Sequence, residues 1–394
     1  MMNFEYYTPT KVVFGKDTEQ QVGNLILKQN GKKVLVHYGS GSVVRSGLLN
    51  RIYASLDSAG ISYVSLGGVV PNPRLSKIQE GIELCRREKV DFILAVGGGS
   101  VIDSSKAIGY GAANEGDVWD YYEKKRIPSA CLPIGAVLTI AAAGREMSNS
   151  SVVTNENGWL KRSYNDDISR CKFTIMNPEL TYTLPDYQTQ SGCTDILMHT
   201  MERYLNHSSN MEITDSISEA LLKTVMKNAK ILRNDPYNYE ARAEVMWAGS
   251  LSHNGLTGCG TDGGDWASHQ LEHELGGMFD VAHGAGLAAV WGSWARYVYC
   301  ENPNRFAKFA ENVLMVPHSD DPNEMALSGI KAMEDYYRSV GMPTSIHELG
   351  IDLTEEQILE LADKCSFYNQ RTIGCVRKLC REDIAEIYRM AKGY

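Results

Sequence analysis

Three of the nine histidines crowd into the stretch Trp266–His283, WASHQLEHELGGMFDVAH. His269 and His273 are four residues apart, a spacing that places two side chains on one face of a helix. Gly276 and Gly277 are expected to break that helix, so that His283 folds back from the next element. Upstream, Asp195 and His199 repeat the four-residue spacing on another helix. Two such helices can converge on one cation. One carboxylate and three imidazoles form a nitrogen and oxygen set suited to divalent iron or zinc, with a coordination position left open. A lone buried histidine is ordinarily a hydrogen-bonded core residue, but several titratable groups in apolar surroundings are costly to bury without a partner. His37, His207, His253, His318 and His347 stand alone and are read as structural. The pair His269 and His273 superficially resembles the H-E-x-x-H helix of zinc proteases. Gln270 at its second position cannot be the general base of such enzymes, and Glu272 is displaced by two. A metal hydrolase is kept only as an alternative.

A second chemistry is written in glycine. Phe92–Asp103 (FILAVGGGSVID) is an apolar strand running into three glycines and a helix start. Glycines let a ligand approach the backbone, and a helix N-terminus offers free N–H groups and partial positive charge to a phosphate. Three glycines in a row exceed what one positive φ requires, so the stretch is read as a pyrophosphate site. It is not the G-x-G-x-x-G fingerprint. A further turn, Gly39–Ser42 (GSGS), follows an earlier strand. NAD-preferring sites often place an acid near here against the ribose hydroxyls. None is present, and Arg45 lies close by, so NAD(P) binding leaning to NADP is the expectation.

The elements that carry these residues fall into two halves. Val34–Tyr38, Ser62–Leu66 and Phe92–Val96 read as strands, separated by helical stretches at Val43–Ala59 and Leu75–Lys89 and followed by one at Ser100–Gly111. Strands alternating with helices of this length specify parallel pairing with both sheet faces covered. Beyond about residue 186 the apolar spacing turns helical: Asp186–Leu205, Glu212–Arg233, Glu240–Asn254, Trp266–Leu275, Asn304–Leu314, Asn323–Val340 and Glu355–Cys365. The expected fold is therefore a doubly wound α/β dinucleotide-binding domain over 1–185 and an all-α metal-binding and substrate domain over 186–394, the boundary lying near Pro185.

Composition narrows the partners. The chain has 394 residues, 39 Lys plus Arg against 48 Asp plus Glu, and a formal net charge of -9. That balance lacks the basic footprint that nucleic acids and anionic membranes require. No apolar run reaches the length of a membrane span. The first residues do not read as a secretory signal, so the expected location is cytoplasmic. Nine cysteines without a C-x-x-C pair are read as reduced thiols.

The combination of Gly97–Asp103, the pair Asp195 and His199, and His269 with His273 followed by His283 and Gly284 resembles the iron-containing alcohol dehydrogenase family. Tyr38–Val43 (YGSGSV), Asp265–Ala267 (DWA) and Val290–Arg296 (VWGSWAR) are most similar to its butanol dehydrogenase branch. The likeness runs from about Phe4 to the C-terminus. It implies the fold shared with dehydroquinate synthase, with a cleft between the domains where hydride moves between nicotinamide and a small alcohol or aldehyde. It implies Asp195, His199, His269 and His283 as metal ligands, Fe2+ before Zn2+, and a catalytic His273 beside the nicotinamide. The cofactor would meet Gly39, Ser40, Gly41, Ser42, Asn72, Gly97, Gly98, Gly99, Ser100, Asp103, Thr139 and Lys161. A homodimer is implied too, through an edge strand in Glu5–Phe14. One segment departs from the family pattern. Ala143–Glu146 (AGRE) stands where Thr-Gly-Ser-Glu is usual, and Arg145 there either contacts a phosphate or fills space. Alternatives of the same fold are dehydroquinate synthase-like or glycerol dehydrogenase-like enzymes. A cyclase needs more basic side chains than surround these histidines, where Trp266, Leu271, Met278, Phe279 and Trp291 prevail.

Overall fold

The strands of the computed structural model, which describes residues 1–393, are β1 (Lys11–Phe14), β2 (Lys33–Gly39), β3 (Ser62–Val69), β4 (Phe92–Gly97), β5 (Ile134–Leu138), β6 (Ser150–Asn155), β7 (Leu160–Asn165) and β8 (Phe173–Met176). All but β6 and β7 form one sheet, in the order β1-β8-β5-β4-β2-β3, and every pairing in it is parallel. β4 is buried at each position, as expected of a strand with helices on both faces. On one face Val34, Val36, Phe92, Leu94 and Val96 pack with Leu48, Leu49, Ile52 and Leu56 of helix Leu48–Ser58. Each of these helix side chains contributes about 2 kcal/mol by leaving water. On the other face His37 Nε2 reaches Ser104 Oγ at 2.8 Å, on helix Gly99–Ala113. Helix Leu75–Glu88 packs closely on that helix because Gly81 has no side chain: a Cβ there would lie 2.4 Å from Ile108 Cδ1.

Several expectations for this half need correction. The single helix expected over Val43–Ala59 is two, Ser42–Arg45 and Leu48–Ser58, because Gly47 between them turns left-handed with a φ of 71°. The strand expected in Glu5–Phe14 is confined to Lys11–Phe14. The antiparallel hairpin of β6 and β7 was not anticipated, although Asn157 and Gly158 between its strands are a hairpin signal.

The chain divides into two compact units, Thr8–Leu184 and a second that joins Met1–Tyr7 to the residues from Pro185 on. The first residues are tied to that second unit by the Met2 N–H, which donates to the Gly260 carbonyl at 3.0 Å. The second unit is helical throughout its regular structure. Its elements include Asp186–Tyr204, Glu212–Asn234, Tyr239–His253, Ala267–Phe279 and His283–Val298. The last of these is absent from the periodicity reading, although Leu287, Val290, Trp291, Trp294 and Val298, all fully buried, follow three- and four-residue spacing along one face. Arg381–Ala391 is a further helix absent from the periodicity reading. Gly276 and Gly277 do not break the histidine helix, which runs through both to Phe279 and stops where Asp280 takes a φ of 54°. Two interior glycines cost a helix about 2 kcal/mol relative to alanine, and here the burial of Leu271 and Leu275 outweighs that.

Candidate metal centre and dinucleotide turns

Helix Asp186–Tyr204 places Asp195 and His199 on one face, both buried. Asp195 Oδ1 lies 2.9 Å from His199 Nδ1, 3.6 Å from His269 Nε2 and 3.7 Å from His283 Nε2. One carboxylate oxygen is thus ringed by imidazoles from three helices. His283 opens the helix His283–Val298 and reaches the others because Gly284 follows it. A Cβ on Gly284 would lie 1.9 Å from the Ser191 carbonyl oxygen, so only glycine lets this helix start against the backbone of Asp186–Tyr204.

What fixes the rings is a pair of glutamates that sequence reasoning missed. Glu202 and Glu272 are wholly buried, which is costly for a carboxylate unless it is paired and hydrogen-bonded. Glu202 accepts from His269 Nδ1 and from the His269 backbone N–H, and Glu272 accepts from His283 Nδ1. With Nδ1–H committed to a carboxylate, the lone pair of each ring sits on Nε2. Those two buried Nε2 atoms have no hydrogen-bond partner among the described residues. His199 follows the same logic, its Nδ1–H donating to the Asp195 carbonyl at 2.9 Å. The signal existed in sequence: Asp195, His199 and Glu202 are spaced by four and three on one helix.

The charges agree with that geometry. Burial works against ionising Asp195, yet the imidazoles of His199, His283 and His269 outweigh it and hold the carboxyl well below the usual range. Burial pulls His269 down, and Glu202 with Asp195 overcome it, pushing the ring up to about 9. The three carboxylates create a field that favours positive charge here, either a proton on His269 or a cation that displaces it. The orphaned Nε2 atoms, the shared carboxylate oxygen and this field fit a divalent cation held by Asp195, His199, His269 and His283.

His273 stands apart from that set. It is buried, with its ring centroid 6.3 Å from that of His269 and 5.9 Å from that of His283, and it groups with Glu272 and His283 instead. His253, read as solitary in the sequence, is not: its ring lies against that of His199, tilted by 33° with centroids 4.0 Å apart, because the end of helix Tyr239–His253 packs against Asp186–Tyr204. His37 is a satisfied core residue between the Leu66 carbonyl and Ser104. His207 bonds the Val376 carbonyl, while His318 and His347 lie at exposed acidic neighbours.

In the α/β unit the glycine turns gather at one end of the sheet. β2 ends at Gly39 and β4 at Gly97, with Tyr38 level with Val96 and Gly97 level with Leu138 of β5. β3 lies on one side of β2 and β4 on the other. The chain therefore changes direction across the sheet between β2 and β4. Open α/β sheets bind ligands at the carboxyl ends of strands at such a switch point. Ser40, Gly41 and Ser42 continue from β2, Gly41 with a φ of 143°. Gly98, Gly99 and Ser100 lead into helix Gly99–Ala113 with Asp103 one turn on. Thr139 follows β5, its N–H donating to the Gly97 carbonyl at 3.1 Å. Asn72 is buried with a φ of 53° and Lys161 is buried on β7.

A packing reason for the three glycines stands beside the expected ligand approach. None of Gly97, Gly98 and Gly99 is in the positive-φ region. A Cβ would lie 2.5 Å from Val101 Cγ2 at Gly97 and 2.1 Å from Ile140 Cγ2 at Gly98. Close packing of the turn requires at least two of them.

Known proteins match over the whole length. The family description "Iron-containing alcohol dehydrogenase" covers residues 9–178, and "Fe-containing alcohol dehydrogenase family, C-terminal" covers residues 189–392. NADH-dependent butanol dehydrogenase A of Clostridium acetobutylicum is 39% identical over 391 residues, 99% of each chain. The NADPH-dependent aldehyde reductase YqhD of Escherichia coli is 33% identical over 89% of this chain and 90% of its own. The crystal structure of NADH-dependent butanol dehydrogenase A from Thermotoga maritima superposes with a TM-score of 0.96 at 39% identity, covering 100% of this chain and 99% of that one.

Proposed function

We infer that this chain, which belongs to the iron-containing alcohol dehydrogenase family and to its butanol dehydrogenase-like branch, is an NAD(P)-dependent oxidoreductase interconverting small primary alcohols and aldehydes of the butanol and butanal class. The observation that carries the reading is the ring of His199, His269 and His283 around one oxygen of Asp195. We propose these four residues as the ligands of a divalent cation, Fe2+ before Zn2+. Such an ion supplies Lewis acidity to the substrate oxygen and favours its alkoxide form.

The reaction exchanges a hydride with nicotinamide and a proton with solvent. This chain's residues serve both. Asp195 contributes a single negative charge to the ligand set, so the set with a divalent ion keeps a net positive charge. Glu202 and Glu272 hold Nε2 of His269 and His283 toward the centre. His273, not required as a ligand, is proposed to hold or pass the hydroxyl proton, directly or through water, a task suited to imidazole near neutral pH.

For the cofactor we propose Gly39–Ser42, Asn72, Gly97–Ser100, Asp103, Thr139 and Lys161 as contacts. Arg45 Nη1 would lie 3.1 Å from a Cβ at Gly41. A guanidinium over that turn, with no acid in Gly39–Ser42, supports acceptance of a 2′-phosphate, so the reading leans to NADPH while admitting NADH. No helix is long and apolar enough to cross a membrane, and a cytoplasmic enzyme is proposed. β1, paired on one side with β8 and lying at the sheet edge, is the proposed seam of a homodimer.

The test is metal analysis of protein purified without air, with butanal reduction followed using NADH and NADPH. Expected are about one iron or zinc per chain, activity lost to chelator and restored by the ion, and kcat/KM for NADPH at least equal to that for NADH. Metal-free protein with full turnover would sink the metal assignment, and a strong NADH preference would sink the lean to NADPH.

A further inference from the structure

Arg145 is where this chain departs from the usual Thr-Gly-Ser-Glu pattern, and its surroundings give it a task. The residue is buried in the loop after β5. Its Cγ lies 3.3 Å from where a Gly99 Cβ would stand, against the start of helix Gly99–Ala113. Its Nε lies 3.4 Å from Asp103 Oδ2, one turn into that helix. Its own carbonyl accepts from Lys106 Nζ at 2.8 Å, and the same ammonium donates to the carbonyls of Ser148 at 2.8 Å and Ser150 at 2.9 Å. Three donors meet three carbonyls, so Lys106 braces the backbone that carries Arg145. Glu146 beside it is buried as well.

These four side chains form a buried charge cluster at the glycine turn: Asp103 and Glu146 negative, Arg145 positive, and Lys106, whose ammonium burial disfavours but whose three carbonyl acceptors call for three N–H donors, positive too. With arginine the cluster sums to zero. With the family's serine it would sum to one negative charge, in a dry setting where charges are poorly screened. Beside it stands the helix N-terminus read above as the seat of the dinucleotide diphosphate, itself a dianion.

We propose that Arg145 is a cofactor-affinity residue: its guanidinium, oriented by Asp103 and braced through Lys106, cancels the negative charge of the turn and offers N–H donors to the cofactor diphosphate. The proposal rests on the dinucleotide reading of Gly97–Ser100. Its test uses the full chain with metal bound, and two variants: Arg145→Gln, which keeps a donor for Asp103 and loses the charge, and Arg145→Lys, which keeps the charge. Dissociation constants for NADH and NADPH are read by nucleotide fluorescence at low and high salt, with ADP-ribose as a competitor that shares the diphosphate. A charge-assisted contact of this kind is worth about tenfold or more in affinity. Arg145→Gln is expected to weaken both nucleotides and ADP-ribose by about that factor and to flatten the salt dependence. In turnover the loss should fall on KM for the nucleotide more than on kcat. Arg145→Lys should recover most of the affinity. A Gln variant that binds as tightly as the parent with the same salt slope overturns the proposal, as does a Lys variant as weak as Gln. If the parent itself binds neither nucleotide, the dinucleotide reading fails and this proposal falls with it. Parent binding with an unaffected Gln variant leaves that reading standing and removes only this one.

Discussion

Glu202 accepts two hydrogen bonds from a single residue, one from the backbone N–H of His269 at 3.0 Å and one from its ring Nδ1–H. The carboxylate therefore fixes both where helix Ala267–Phe279 begins and which way its first histidine points. Glu272 does the second of these tasks for His283. Carboxylates behind metal-binding histidines typically contribute 10- to 100-fold to metal affinity.

Replacing Glu202 or Glu272 by Gln should accordingly weaken iron or zinc binding by about tenfold, and replacement by Ala by about 100-fold, with helix content preserved. Competition against a chromophoric chelator measures it. Unchanged metal affinity in both Gln variants would show that the glutamates do not orient the rings.

The two histidines of helix Ala267–Phe279 should part company on substitution. His269→Ala is expected to lose metal and turnover together, as is Asp195→Ala. His273→Ala should keep its metal while kcat falls by about 100-fold, the lower end of what a general acid-base group contributes, because water can relay the proton. Metal content and kcat measured on the same preparations decide it. Metal retained in His269→Ala and lost in His273→Ala would reverse the roles.

Gly284→Ala should be disproportionately damaging for a methyl group. The new Cβ would meet the Ser191 carbonyl oxygen at 1.9 Å and its carbon at 2.7 Å, and backbone atoms cannot rotate away. Overpacking of this kind costs about 1–3 kcal/mol, and the strain falls next to His283. A lower Tm with reduced metal content is expected. A variant indistinguishable from the parent in both would mean that the start of helix His283–Val298 shifts freely.

His37 supplies a pH dependence separate from the proposed metal ligands. Burial between β2 and helix Gly99–Ala113 lowers its pKa from 6.5 to about 4. The unfolded chain takes up that proton first, so the contribution is intact above about pH 6.5. It is lost progressively as pH falls toward 4, by roughly 3 kcal/mol in all. Hydrogen exchange of β2 and β4 should show protection falling across that window, and His37→Gln should flatten the fall. An equal slope in the variant would assign the effect to other groups.

Much of the chemistry was legible because it is local. Four-residue spacing sets Asp195 with His199, and His269 with His273, on common helix faces whatever the rest of the chain does. A fully apolar strand entering a glycine turn announces buried parallel pairing in the same way. Tertiary structure decided which faces meet. That His283 closes on Asp195 depends on Gly284 fitting against Ser191, a contact between residues far apart in the chain. The same holds for Glu202 beneath His269, for His253 against His199, and for Arg145 reaching Asp103. Gly276 and Gly277 show the limit most plainly: their propensity to break a helix is a local cost of about 2 kcal/mol, and the burial of the side chains around them is a larger gain that local sequence does not contain.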